Sequence, residues 1–237
     1  MRTTTSVGVV LIGLIWLTVC GYAEDARNVP GQSADGCPLT PPQTEGPYYP
    51  PKAQIDAQLD KDNDLTQVKG ETGKAKGQVL YVIGQVRDSH CRPIKGAVVE
   101  IWQASEAGRY RHPRDTQNPA PLDPHFQYWG KYTTDQDGRY VFKTIKPGAY
   151  SIGSGTMRPS HIHFKVSHPE YPQLITQLYF VGDRFQDTDP ILNDVPRQKW
   201  DRVIVPMEEP GSDYEPDAKI ARFNVTLSSG KGDTKDN

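Results

Sequence analysis

From residue 78 onward the chain alternates apolar and polar positions in short runs bounded by turn formers. The runs are QVLYVIGQVRD (78–88), GAVVEIWQA (96–104), GRYVFKTI (138–145), HIHFKVS (161–167), LITQLYFVG (174–182), DRVIVPM (201–207) and IARFNVTLS (220–228). A period of two, with Val, Ile, Tyr and Phe over-represented, predicts half-buried strands. The interruptions have identifiable chemistry: DQDG at 135–138, KPG at 146–148, and Pro93 with Gly96. No long 3.6-residue apolar period runs through this half. The pattern predicts an all-β fold, an antiparallel two-sheet β-sandwich over 78–228, followed by a disordered tail at 229–237.

The first 77 residues have a different texture. Arg2 precedes the apolar run VGVVLIGLIWLTVC (7–20), and small residues follow at Gly21 and Ala23. The run is shorter than the roughly 20 residues that span a bilayer, so residues 1–23 read as an export signal in preference to a permanent anchor. Lipidation at Cys20 is an alternative, although Val19 departs from the small residue expected before such a cysteine. Residues 24–77, rich in Pro, Gly, Gln, Asp and Lys, predict an extended N-terminal arm. Its part DAQLDKDNDLTQVKGETGKAKG reads as surface chain, with Ile55, Leu59, Leu65 and Val68 as its candidate anchors.

Composition narrows the partners. With 237 residues, the chain has room for one well-buried domain with appendages. A net charge of -2 and the absence of a basic run supply no electrostatic reason to expect nucleic acid or an anionic membrane as partner, leaving a small molecule. If the leader is removed, Cys37 and Cys91 remain; export would allow one disulfide between them, and two unpaired thiols are the alternative. Neither cysteine reads as catalytic.

Candidate chemistry centres on RPSHIHF (158–164). On a strand, His161 and His163 point to one face while Ile162 and Phe164 point to the other. Two of the twelve tyrosines, Tyr110 in EAGRYRHP and Tyr150 in TIKPGAY, fall where strands give way to loops. Phenols and imidazoles together form a hard donor set that suits a ferric ion better than zinc. Spacing alone leaves open whether the four meet, whether the histidines serve separate hydrogen bonds, and whether they hold zinc or copper.

These segments, GQVRDSHCRPIKGAVVEIWQASEAGRYRHP, LDPHFQYWGKYTTDQDGRYVFKTIKPGAY, RPSHIHF and LITQLYFVGD, together resemble the intradiol ring-cleavage dioxygenases, the non-haem ferric family of protocatechuate 3,4-dioxygenase and catechol 1,2-dioxygenase. The resemblance implies that Tyr110, Tyr150, His161 and His163 ligate one Fe(III), with Tyr110 and His161 equatorial and Tyr150 and His163 axial. It implies a catecholic substrate and dioxygen, ring opening between the hydroxylated carbons, and a muconate-type product. Tyr150 would leave the metal and accept a proton; Arg158 would stabilise the developing negative charge. Gln177, Ile191, Gly46, Pro47 and Tyr48 would line or cover the substrate pocket. Ile152 stands where protocatechuate enzymes carry tryptophan, so one pocket wall should differ. The region before residue 78 also lacks the helical dimerisation domain of catechol 1,2-dioxygenases. A rival resemblance, on strands and turns alone, is to non-catalytic carboxypeptidase-regulatory and collagen-binding B-type modules.

Overall fold

Strand burial follows the alternation along 79–88 and 139–145, whereas 161–164 and 176–180 are buried on both faces. In the computed structural model, which describes residues 36–58 and 60–229, α1 (Lys52–Ala57) precedes β1 (Val79–Asp88), β2 (Val98–Trp102), β3 (Trp129–Thr133) and β4 (Arg139–Ile145). There follow β5 (Tyr150–Gly153), β6 (Thr156–Arg158), β7 (His161–His168), β8 (Tyr171–Phe180) and α2 (Pro190–Asn193). The last elements are β9 (Ile204–Val205), β10 (Met207–Glu208), β11 (Lys219–Arg222) and β12 (Val225–Leu227). The export signal and Cys20, the anchor Leu59 and residues 230–237 of the tail lie outside the described residues. Among the described residues no helix is long and apolar enough to cross a membrane.

Two five-stranded sheets and one hairpin account for these strands. One sheet runs β10-β11-β1-β12, with β4 on the other edge of β1; the second runs β3-β2-β7-β8-β9; β5 and β6 pair with each other. Val82 and Val86 of β1, Phe142 of β4, Ile101 of β2 and Ile162 and Phe164 of β7 share one hydrophobic cluster, each 0% exposed. Both sheets therefore contribute to the same core.

The expected wholly antiparallel pairing is corrected: β1 runs parallel to β11 and β12, and β8 runs parallel to β9. A strand edge offers one row of N–H and C=O groups that either orientation satisfies, and side-chain alternation is the same for both. The expected strand 220–228 is also divided. Phe223 N donates to Ile83 O and Gln85 N to Asn224 Oδ1, so β1 keeps its bonds across the break. Gly84 makes this close approach possible, because a Cβ there would lie 1.9 Å from Phe223 O.

The described part of the arm packs on these strands. A disulfide joins Cys37 to Cys91 with Cα atoms 5.1 Å apart. Thr40 and Gln43 then donate their N–H groups to Thr226 O and Ile175 O. Farther along, Leu65 is fully buried in the main core and Ile55 packs against the smaller cluster of Trp102, Ala104, Tyr110, Trp129 and Tyr150, whereas Val68 is half-buried. The polar run around Leu65 is thus anchored more deeply than its composition suggests.

Candidate metal centre

Register on three neighbouring strands builds the floor of the site. Residues directly opposite one another share a sheet face. Trp102 of β2 faces His163 of β7, His163 faces Gln177 of β8, and His161 faces Tyr179. One face thus carries Trp102, His161, His163, Gln177 and Tyr179. Ile162 and Phe164 fill the core behind it, as the alternation predicts.

The other two donors arrive from different connections. Tyr150 opens β5 directly opposite Arg158 at the end of β6, so one hairpin delivers a phenol and a guanidinium side by side. Tyr110 follows β2, where its backbone N–H donates to the buried carboxylate Asp115 at 2.6 Å. Ser160 ties the Tyr150 and His161 segments together by donating its hydroxyl to Pro147 O at 2.6 Å.

The four predicted donors converge. Ring centroids are 5.5 Å apart for Tyr110 and Tyr150, 5.6 Å for Tyr150 and His161, 4.9 Å for His161 and His163, and 6.2 Å for Tyr110 and His163. His161 Nδ1 lies 2.7 Å from Pro159 O. A carbonyl only accepts, so Nδ1 carries the proton, and the lone pair of Nε2 faces Tyr110 Oη at 3.3 Å. His163 stacks on Trp102 at 4.7 Å, and its buried Nδ1 has no hydrogen-bond partner.

Burial sets the protonation states. It pushes the Tyr110 phenol well above its ordinary range, with the neighbouring Tyr150 adding to the shift and Arg158 opposing it. Burial likewise raises Tyr150, against the opposing charge of Arg158. Both imidazoles are held well below the usual histidine range, first by burial and then by the Arg158 charge. The histidines are consequently neutral, which is the ligating form. Two neutral imidazoles with free lone pairs and two adjacent phenols suit a hard, highly charged cation, whose field would hold the phenols ionised. Among the described residues no group of three His, Cys, Asp or Glu forms a rival centre.

Arg158 is 5% exposed and firmly held. Its Nε donates to Asp189 Oδ1 at 2.7 Å, and its Nη2 donates to Gln177 Oε1 at 2.7 Å, Asp189 Oδ2 at 3.2 Å and the Tyr179 hydroxyl at 3.3 Å. Sequence reasoning missed Asp189 and Tyr179. A readable signal existed for Asp189, which precedes Pro190 at the start of α2 and caps that helix by accepting from Leu192 N. It also missed Gln43, whose Nε2 donates to Gln177 O and whose Oε1 lies 2.9 Å from the Tyr179 hydroxyl.

The arm closes over the donors. Tyr48 stacks on Tyr110 with centroids 4.6 Å apart and meets Tyr150 edge-on at 6.2 Å. Gly46 has φ +72°, and a Cβ there would lie 3.5 Å from His163 Cε1, so the arm passes directly against the second histidine. Gln177 Nε2 donates to Thr44 O at 3.0 Å. Tyr49 caps Trp102 edge-on and donates to Glu100 Oε1 at 2.8 Å. Not every candidate joins this cluster. Pro47 is exposed, and Ile152 is 44% exposed on the hairpin. Ile191 borders a cavity of 280 Å³ with Pro42, Gln43, Thr44 and Asp194, which none of the four donors lines.

Residues 44–228 match the family model described as "Dioxygenase". The chain belongs to the intradiol ring-cleavage dioxygenases. It is 44% identical over 146 residues to the protocatechuate 3,4-dioxygenase beta chain of Burkholderia cepacia, covering 60% of this chain and 62% of that one. It is 35% identical over 124 residues to a catechol 1,2-dioxygenase of Candida albicans, covering 47% and 39%. The chain thus spans less than two thirds of the length of either relative.

Among solved structures, the dioxygenase domain of a dioxygenase carbohydrate-binding protein fusion from Streptomyces sp. SirexAA-E superimposes with a TM-score of 0.56 at 28% identity. That match covers 81% of this chain and 99% of that one. Catechol 1,2-dioxygenase from Acinetobacter radioresistens has a TM-score of 0.60 at 24% identity, covering 81% and 63%, a likeness of fold.

Proposed function

We propose that this chain is a non-haem Fe(III) intradiol dioxygenase that opens a catecholic ring between its two hydroxylated carbons with dioxygen, giving a muconate-type dicarboxylate. The carrying observation is the convergence of Tyr110, Tyr150, His161 and His163 from separate segments onto one buried point. Those four side chains would hold the iron, which when bound would draw electron density from the catecholate and prepare its ring for attack by dioxygen.

The remaining chemistry belongs to the protein. Tyr150 lies beside the exposed hairpin positions Ser151 and Ile152 and next to Arg158, so the phenolate that a bound cation would make of it is placed to take a catechol proton and become the neutral phenol that burial favours. Arg158 presents a fixed cation to the site, and Tyr48 with Gly46 closes the arm side against water. The two sheets, read as the faces of a sandwich, give the donors a stiff backing. The same reading takes residues 1–23 as an export signal. The Cys37–Cys91 disulfide supports this, because such bridges persist in oxidising compartments. Edman sequencing of secreted protein should begin at Glu24; a start at Met1 would refute cleavage.

A binding module needs no buried phenol and imidazole donors, so the geometry favours the enzyme. Protein expressed with ample iron should be coloured by phenolate-to-iron charge transfer. The band should move when catechol is added without oxygen, and a panel of substituted catechols should drive oxygen uptake. Colourless, iron-free protein with no uptake would overturn the proposal. His161→Ala should lose the iron, whereas Tyr150→Phe should keep part of it and exchange substrate slowly.

A further inference from the structure

Arg158 is nearly inaccessible to water, and among the described residues its one anionic hydrogen-bond partner is Asp189, which is 0% exposed. The carboxylate grips the guanidinium along one edge, through Nε at 2.7 Å and Nη2 at 3.2 Å. Such a two-point contact fixes the plane of the guanidinium as well as its position. Gln177 and Tyr179 fill the rest of Nη2. Nη1 takes no part in any of these bonds, and the guanidinium also interacts with the Tyr150 phenol opposite it in the hairpin, so its remaining edge lies on the Tyr150 side of the site. Asp189 also accepts from Leu192 N at 3.1 Å, which ties the carboxylate to the first turn of α2 and prevents it from following the guanidinium if that group swings.

We propose that Asp189 is a positioning residue of the ring-cleavage reaction, holding Arg158 in the one orientation in which its remaining edge faces the charge that develops on the opening ring. This inference rests on the dioxygenase reading above. A cation that stabilises charge appearing only in the transition state raises kcat and leaves ground-state binding nearly unchanged. Loss of its orientation should therefore act on kcat. A merely structural carboxylate would behave differently, lowering thermal stability and iron content while leaving the turnover of each iron-loaded molecule intact.

Asp189→Asn is the informative change. An amide keeps the size but replaces one acceptor oxygen with an N–H₂ donor, so it cannot accept from Arg158 Nε and Nη2 through two oxygens, and the two-point grip on the guanidinium is lost. The holoenzyme variant should retain parent-like iron content and the parent shift of its charge-transfer band on anaerobic catechol addition. Its kcat per iron should fall at least tenfold, with KM for catechol within threefold. If Asp189→Asn does not accumulate as folded protein, Asp189→Glu carries the test: its carboxylate is displaced by one methylene, and the same drop in kcat per iron at constant KM is expected. Parent-like kcat per iron in whichever variant folds would overturn the positioning role, as would a loss expressed wholly in KM. A parent enzyme without oxygen uptake on any catechol would instead overturn the dioxygenase reading on which this one stands.

Discussion

The Cys37–Cys91 bridge offers a quantitative test of how the arm is held. It spans a sequence separation of 54 residues. Closing a loop of that length in the unfolded chain corresponds to about 4 kcal/mol of stabilisation on the chain-entropy model. The packing lost on replacing both cysteines with serine is small, because Cys91 is exposed and Cys37 only half-buried. For a chain of this size each kcal/mol moves the melting midpoint by about 2–4 °C, so Cys37→Ser/Cys91→Ser should melt about 8–16 °C lower. Parent protein in excess reductant should melt near the variant. Beyond the bridge the arm has its own attachments: Thr40 N donates to Thr226 O, Thr226 N to Thr40 Oγ1 at 2.9 Å, and Gln43 N to Ile175 O. Oxygen uptake at 25 °C should therefore stay within twofold of the parent. Differential scanning calorimetry with and without reductant gives both midpoints. A variant that melts within 2 °C of the oxidised parent would refute the loop-constraint argument.

Two further changes probe the acid end of the stability curve and the cover of the site. Asp88 is fully buried and accepts from His90 N and Arg92 N at 2.9 Å each and from Arg92 Nε at 2.7 Å. Burial pushes its pKa up, but the bonds and charge of Arg92 and the His90 N–H more than offset this and hold it below the usual carboxylate value. A depressed folded pKa gives stability that is present above the unfolded value of about 3.9 and is lost as pH falls through the folded one. Asp88→Asn should cost about 1–3 kcal/mol at pH 7, and its melting curve should approach the parent's below pH 4; a gap that widens in acid would contradict the assignment. Tyr48→Ala removes ring contacts to Tyr110 and Tyr150 worth about 0.5–1.5 kcal/mol each, so the melting midpoint should fall by about 2–12 °C, and uncovering the donors should raise KM for catechol while iron content holds. Tyr48→Phe should behave as the parent, and an unchanged KM in the alanine variant would remove Tyr48 from the site.

Much of the architecture could be read from local pattern because burial on a strand repeats every second residue. The run 138–145 predicted β4, and HIHFKVS placed His161 and His163 on one face with Ile162 and Phe164 behind. Other elements had no such signature. β3 lies in a stretch of mixed polar and aromatic residues, and the β5–β6 hairpin consists largely of glycine, serine and exposed positions. Leu65, a candidate anchor on its apolar character alone, is fully buried beside the buried polar Thr66 in a run with no period to mark its depth. The resemblance named the four donors and Arg158, which the fold brings together, and it also named Ile191 and Pro47, which stand outside the donor cluster.

What the chain determines by itself is which positions avoid water, since each side chain's transfer energy is its own property. Strand identity, the shared face of the histidines and the softness or hardness of candidate donors all follow from that. Which edge of β1 accepts β11 and β12, whether Tyr48 lies on Tyr110, and that Asp189 clamps Arg158 were decided only by tertiary structure. These are pairings between distant segments, and a backbone edge or a buried charge accepts any partner of the right chemistry that the three-dimensional path delivers.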